Sequence, residues 1–218
     1  MSDTRLMDIP DELTEGKPDG KRKRGAPTWQ LDLGLPELVS SRLTLRELTR
    51  SDASSLWANL STGDVQRYIA PAPTTLEGFE VFIQWTIRER KAGRFLCYGI
   101  VPRGHDRAVG IFEAWPVEPT FRVAETRVSL GLAFWGTGLF QDSAQLFLQF
   151  LFDWLNVHRV EGRAAASNLR GKAAARKLGA VEEGLLRKCF LVHGEYADHV
   201  LWSILAEDWR RRSHGRTG

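Results

Sequence analysis

The chain has 218 residues, 43% of them apolar, and a formal net charge of +3 from 30 basic and 27 acidic side chains. That composition supplies one full hydrophobic core, and the small, evenly mixed charge excludes the concentrated basic face of a dedicated nucleic-acid binder. No run approaches the ~18 apolar residues of a membrane span.

In chain order, residues 1–26 set Lys17, Lys21, Arg22, Lys23 and Arg24 among glycine, proline and acidic residues. So little apolar surface cannot offset the entropy of ordering, and the stretch reads as a disordered basic tail with no signal-peptide core, which points to a cytoplasmic protein. Residues 27–210 read as a single domain and 211–218 as a flexible C-terminal tail. Residues 42–46 alternate polar and apolar, which predicts a strand; Ala53, Leu56, Trp57 and Leu60 mark one face of a helix capped at Ser51 or Asp52. Thr74 with Glu77 forms a capping-box pattern ahead of Phe79, Phe82, Ile83 and Ile87, predicting a helix that ends near Gly93. Strands are predicted over 95–101, 107–115 and 123–134. After a long helix over 139–154 come a strand at 158–164, a helix capped by Asn168 and stopped at Gly179, and strands at 185–192 and 198–205. Cys97 and Cys189 lie far apart in apolar runs, which predicts two buried free thiols; neither has the spacing of a metal site.

The most informative stretch is Trp135-Gly136-Thr137-Gly138. Leu139, Ser143, Leu146, Phe147, Phe150, Leu151 and Trp154 recur behind it at helical spacing, so the glycines stand just before a helix. Such a loop presents unpaired N–H groups at the positive end of the helix dipole, a place for a phosphate or pyrophosphate. Two glycines also suit a plain tight turn. No Walker lysine follows them, and no acidic ribose partner stands ~20 residues on, which argues against other nucleotide-binding folds.

The segments SRLTLRELTRSDA, AETRVSLGLAF, WGTG, NLRGKAAARKLGA and HGEYADHVLWSILAEDW, in this order and at these distances, resemble the GNAT acetyltransferases, in particular the RimJ/RimL-type N-acetyltransferases. The resemblance runs over about 38–209. It implies an α/β (α+β) GNAT fold: a mixed, mostly antiparallel sheet of six to seven strands, splayed at the strand before the glycine loop and flanked by about four helices. It implies acetyl-CoA as the acetyl donor. Main-chain groups at Ser129 and Leu130 would then pair with the pantetheine arm like an added strand. Trp135, Gly136, Thr137, Gly138, Leu139, Phe140 and Gln141 would hold the pyrophosphate. Asn168 would stand near the pantetheine or serve as a helix cap, and Lys172 would reach the nucleotide phosphates or lie on a solvated face.

Three positions depart from the family pattern. Phe140 replaces a small residue that closes the loop, Gly171 a serine taken in some RimL-type enzymes as the acid, and Phe190 a glutamate taken as the base. Glu125, at a glutamate position of the family's corresponding strand, is the first candidate base and Glu113 the second; each also suits a structural role. His193 and His199 suit the task less well. Tyr68, Trp57, Trp85 and Trp115 are candidates for the acceptor cleft. The expected partner is an amine, either a protein N-terminus or a small molecule, and the lack of an acidic cluster argues against polyamines. The expected activity is acetyl transfer to a primary amine by a monomer or homodimer, with no metal, membrane or clear nucleic-acid partner. The alternative is a non-catalytic GNAT-like domain that binds CoA or a protein.

Overall fold

The computed structural model describes residues 33–66, 73–192 and 194–214. The basic tail, Tyr68 and His193 lie outside them. The strands are β1 (Leu38–Val39), β2 (Leu43–Glu47), β3 (Leu96–Pro102), β4 (Gly110–Pro116), β5 (Val123–Leu130), β6 (Arg159–Ala165), β7 (Val181–Val192) and β8 (Glu195–Leu205). The helices are α1 (Ala53–Leu60), α2 (Gly63–Gln66), α3 (Leu76–Lys91), α4 (Leu139–Gln149), α5 (Leu169–Leu178) and α6 (Ala206–His214). The strands form one sheet in the order β1-β2-β3-β4-β5-β6-β8-β7. Every neighbouring pair is antiparallel except β5 and β6, whose parallel pairing requires the long crossover through α4. The expected mixed, mostly antiparallel GNAT sheet is present, with eight strands among the described residues rather than six or seven, and six helices rather than about four.

Alternation along the strands explains why the sheet is covered on both faces. Leu96, Tyr98 and Ile100 of β3 join Phe112 and Ala114 of β4 in one core, against Ala144, Phe147 and Leu148 of α4. Cys97 and Val101 point the other way, with Ile111, into a second core against Leu56 and Leu60 of α1 and Phe79, Phe82 and Ile83 of α3. A strand buried on both faces reads as an unbroken apolar run, which is what LCYGIVP is.

Several boundaries move. The cap of α3 is Thr75, whose hydroxyl accepts from the Gly78 amide at 3.0 Å, not Thr74. The long helix changes at Phe150–Trp154 into a π-helical turn. The strand expected over 123–134 stops at Leu130, before a single turn over Leu132–Phe134. Residues 211–214, expected in a tail, continue α6. Cys97 is buried as expected, but Cys189 is exposed, because β7 is an edge strand most of whose residues are exposed among the described residues. Among the described residues no helix is long and apolar enough to cross a membrane.

Asp52 pins the start of α1 to the sheet. Its fully buried carboxylate accepts from Arg46 at 2.8 and 2.9 Å and from the amides of Thr49 and Ala108 at 2.8 and 2.9 Å. Burial opposes the charge, yet these donors together hold the carboxyl below its usual range. A depressed carboxyl stabilises the fold above its unfolded value, about 3.9, and that contribution disappears as pH falls through the folded value. Asp52→Ala is therefore expected to cost about 3 kcal/mol at pH 7 and progressively less as pH falls below the unfolded value, as read by urea melts over a pH series.

Candidate active site

The site begins where two strands part. β5 and β6 pair only over Val123–Thr126 and Arg159–Gly162. The Thr126 hydroxyl donates to the Glu161 carbonyl at 3.1 Å and closes the vertex; beyond it the sheet opens as a V. The Gly131 amide donates across to Val109 O at 3.0 Å. By the alternation of an antiparallel ladder, the Ser129 main chain then also faces β4, while Val128 and Leu130 turn theirs to the gap. Val128 thus holds the main-chain position expected of Ser129. The Ser129 side chain instead turns to the α3 face of the sheet, where its hydroxyl is buried and has no hydrogen-bond partner among the described residues.

The glycine loop stands at the open end of the V. Gly136 and Gly138 have φ of +77° and +86°, the left-handed region that favours glycine. At Gly138, the N-cap of α4, a Cβ would also meet the Arg42 guanidinium at 3.0 Å. Arg42 braces the loop from outside, donating to Thr137 O at 2.8 Å and to Asp142 at 2.6 Å. Trp135 donates its indole N–H to Leu130 O at 2.7 Å and carries the Arg170 guanidinium 5.0 Å above its ring. Among the described residues, the amides of Gly136, Thr137, Gly138, Phe140 and Gln141 have no partner inside the molecule; that of Leu139 meets the Thr137 hydroxyl at 3.3 Å. Phe140 turns its ring onto Phe112, 6.2 Å between centroids, and becomes part of the cavity wall.

On the other side of the gap, Asn168 caps α5, its Oδ1 accepting from the Gly171 amide at 2.8 Å. A Cβ at Gly171 would press on the Asn168 amide at 2.8 Å, which gives a local reason for glycine there. Gln141 donates to Ala174 O at 2.8 Å and ties α4 to α5. Lys172 is not on the cavity wall, whereas Arg170 and Lys177 are.

A cavity of about 1540 Å³ passes through the V, from the loop and α5 on one face of the sheet to α3 on the other. On the α3 face, Trp115, Glu113 and Ile111 of β4 stand opposite Glu125, Arg127 and Ser129 of β5. Both oxygens of the fully buried Glu113 accept from Arg127, at 2.7 and 3.2 Å. Arg127 also lies 5.4 Å over the Trp115 ring. Burial pushes the Glu125 carboxyl above its usual range, Arg163 at 3.3 Å pulls against that, and the net shift is upward. His199 stacks under Phe190 at 4.7 Å, and burial holds its imidazole below the ordinary value. Trp85 and Trp115 line the cavity. Trp57 does not; its indole N–H goes to Thr74 O at 3.1 Å. Sequence reasoning missed Arg127, the Ser129 hydroxyl and the cluster of Arg88, Glu89 and Arg94, because each acquires its place through strand register or helix packing.

A sheet splayed beside a helix-opening loop of unpartnered amides, with a cavity running through the splay, is the architecture of an acyltransferase of the GNAT class. Residues 42–181 match the acetyltransferase (GNAT) domain, and the chain belongs to that family and is an acyltransferase. It is 23% identical to the uncharacterized N-acetyltransferase YnaD of Bacillus subtilis (strain 168), over 79% of this chain and 98% of that one. It is 24% identical to the spermidine N(1)-acetyltransferase of Vibrio cholerae, over 80% of this chain and 99% of that one. Two solved structures share the fold. One is the ribosomal-protein-S5-alanine acetyltransferase of Vibrio fischeri, with a TM-score of 0.72 and 18% identity over 80% of this chain and 98% of that one. The other is Mycobacterium smegmatis RimJ in complex with CoA-disulfide, with a TM-score of 0.70 and 22% identity over 76% of this chain and 83% of that one.

Proposed function

We propose that the chain moves an acetyl group from acetyl-CoA to a primary amine in the cytoplasm, through a single domain that runs to the end of α6. The observation that carries this is the set of unpartnered amides over Gly136–Gln141 at the mouth of a cavity that crosses the sheet. Such amides at a helix N-terminus suit a diphosphate, and Arg170 and Lys177 on the same wall add positive charge. The open-side main chain of Val128 and the N–H of Leu130, whose carbonyl is taken by the Trp135 indole, suit the amides of a pantetheine arm, paired as an added strand would be. Asn168 acts as the cap of α5 and borders that arm. When bound, acetyl-CoA supplies an activated thioester carbonyl.

The remaining work falls to this chain. The exposed edge of β5 polarises a carbonyl through a main-chain N–H, and Glu125 takes the proton of the attacking amine, directly or through water. Glu113 stays with Arg127 and holds it in place. Positioning two reactants at near-attack distance removes roughly 7–11 kcal/mol of barrier, so turnover does not require a side-chain acid at Gly171. The likeness to the ribosomal-protein-S5-alanine acetyltransferase supports a protein amine as one acceptor.

A thermal melt tests the donor. Acetyl-CoA at ~100 times its Kd is expected to add about 2.7 kcal/mol and raise the midpoint by several degrees. No shift overturns the reading.

A further inference from the structure

We infer that the acceptor is a primary amine carried on an aromatic or apolar group, and not a polycation. The inference rests on the donor reading above and concerns the arm of the cavity on the α3 face. Its wall is a chain of rings. Phe82 and Trp85 stand 6.1 Å apart, Trp85 and Phe95 4.8 Å, and Phe95 and Trp115 5.9 Å, and all four line the cavity. Trp85 and Trp115 are half-buried and turn toward the cavity, while Phe82 and Phe95 are buried and back them, an apolar wall suited to another flat or aliphatic group.

The charges on the same wall carry the second half of the argument. Among the described residues, each carboxylate that lines the cavity already faces a guanidinium. Glu113 is 2.7 Å from Arg127, Glu89 is 2.7 Å from Arg94 and 3.1 Å from Arg88, Glu161 is 2.7 Å from Arg159, and Glu125 is 3.3 Å from Arg163. A polyamine would bring two or more ammonium groups into an arm where no carboxylate is left unmatched, and would lose hydration without compensation. An acceptor with one amine and an apolar body loses little hydration and covers the rings. The relationship to a spermidine acetyltransferase therefore extends to family and not to acceptor.

The shared chemistry has two sources, a small arylalkylamine or a peptide with an aromatic first residue. With acetyl-CoA saturating, release of free CoA is measured for 2-phenylethylamine, a tetrapeptide beginning with Phe, the same peptide beginning with Ser, and spermidine. The expected result is a kcat/KM at least tenfold higher for an aromatic probe than for the Ser peptide or spermidine, the better aromatic probe marking the source. Trp85→Ala should raise KM for that probe fivefold or more while the acetyl-CoA melting shift persists, and Trp85→Phe should restore most of the loss. Preference for spermidine or the Ser peptide overturns the inference and leaves the donor reading standing, as does failure to turn over any probe by protein that shows the shift. Absence of the acetyl-CoA shift overturns the donor reading itself. The ranking by the unaltered protein decides even where Trp85→Ala does not fold.

Discussion

Arg127→Ala is expected to destabilise the fold by about 3–5 kcal/mol, because it leaves the fully buried Glu113 carboxylate without its counter-ion. Glu113 stands on β4 between Cys97 of β3 and Arg127 of β5, and the Arg127 side chain is what shields its carboxylate from the cavity. The contact of the guanidinium with Trp115 adds about 0.5–1 kcal/mol more. In urea, the midpoint should fall with the slope unchanged; by heat, the midpoint should drop on the order of ten degrees. The double variant Arg127→Met with Glu113→Leu removes both charges and should recover most of the loss, as buried ion pairs replaced by apolar groups of similar size commonly do. If the single variant melts like the unaltered protein, Glu113 is not confined as described.

This pair also explains why the two faces of the site differed in how far they could be read from the sequence. The phosphate side is local. Gly136, Gly138 and the helical spacing from Leu139 lie within one contiguous stretch, and glycine punctuation before an amphipathic run is a short-range signal. The Asn168 cap and the stop at Gly179, where φ is +91°, are of the same kind. The acceptor side is not local. Glu113 meets Arg127, and Glu125 meets Glu161, only because of the register between strands, which no single stretch records. The main-chain direction at Ser129 likewise follows from pairing, and a shift of one residue exchanged its role with that of Val128. The strand expected over 185–192 begins four residues earlier, at Val181, because two glutamates and a glycine hide its start in the sequence. On an edge, however, β7 needs no buried alternation, and Glu183 is held by Arg159 and the Ser203 hydroxyl. Lys172 is the basic residue of α5 that the resemblance singles out, yet Arg170 and Lys177 line the cavity, because the lining depends on how α5 is rotated against the sheet.

Glu125→Gln is expected to lower kcat by about a hundredfold with the acetyl-CoA Kd unchanged, a loss typical of a missing general base. The pH dependence separates this from a structural effect. The carboxyl of Glu125 titrates above the usual range because of burial, and only its ionised form accepts a proton, so kcat/KM should rise with pH through that raised value. The glutamine variant should lose that limb and keep the one belonging to the amine. Arg163→Gln removes the guanidinium 3.3 Å away that favours the ionised form, so its limb should move to higher pH. Stability gives an independent sign. A carboxyl raised on folding contributes stability below its unfolded value and loses that contribution as pH rises through the folded one. At neutral pH the fold therefore carries Glu125 at a cost, and glutamine should melt at the same temperature or higher. A slow variant that is at least as stable and has lost its acidic limb identifies a base. A slow variant with an unchanged pH profile leaves Glu125 a structural residue and returns the proton to water or to His199.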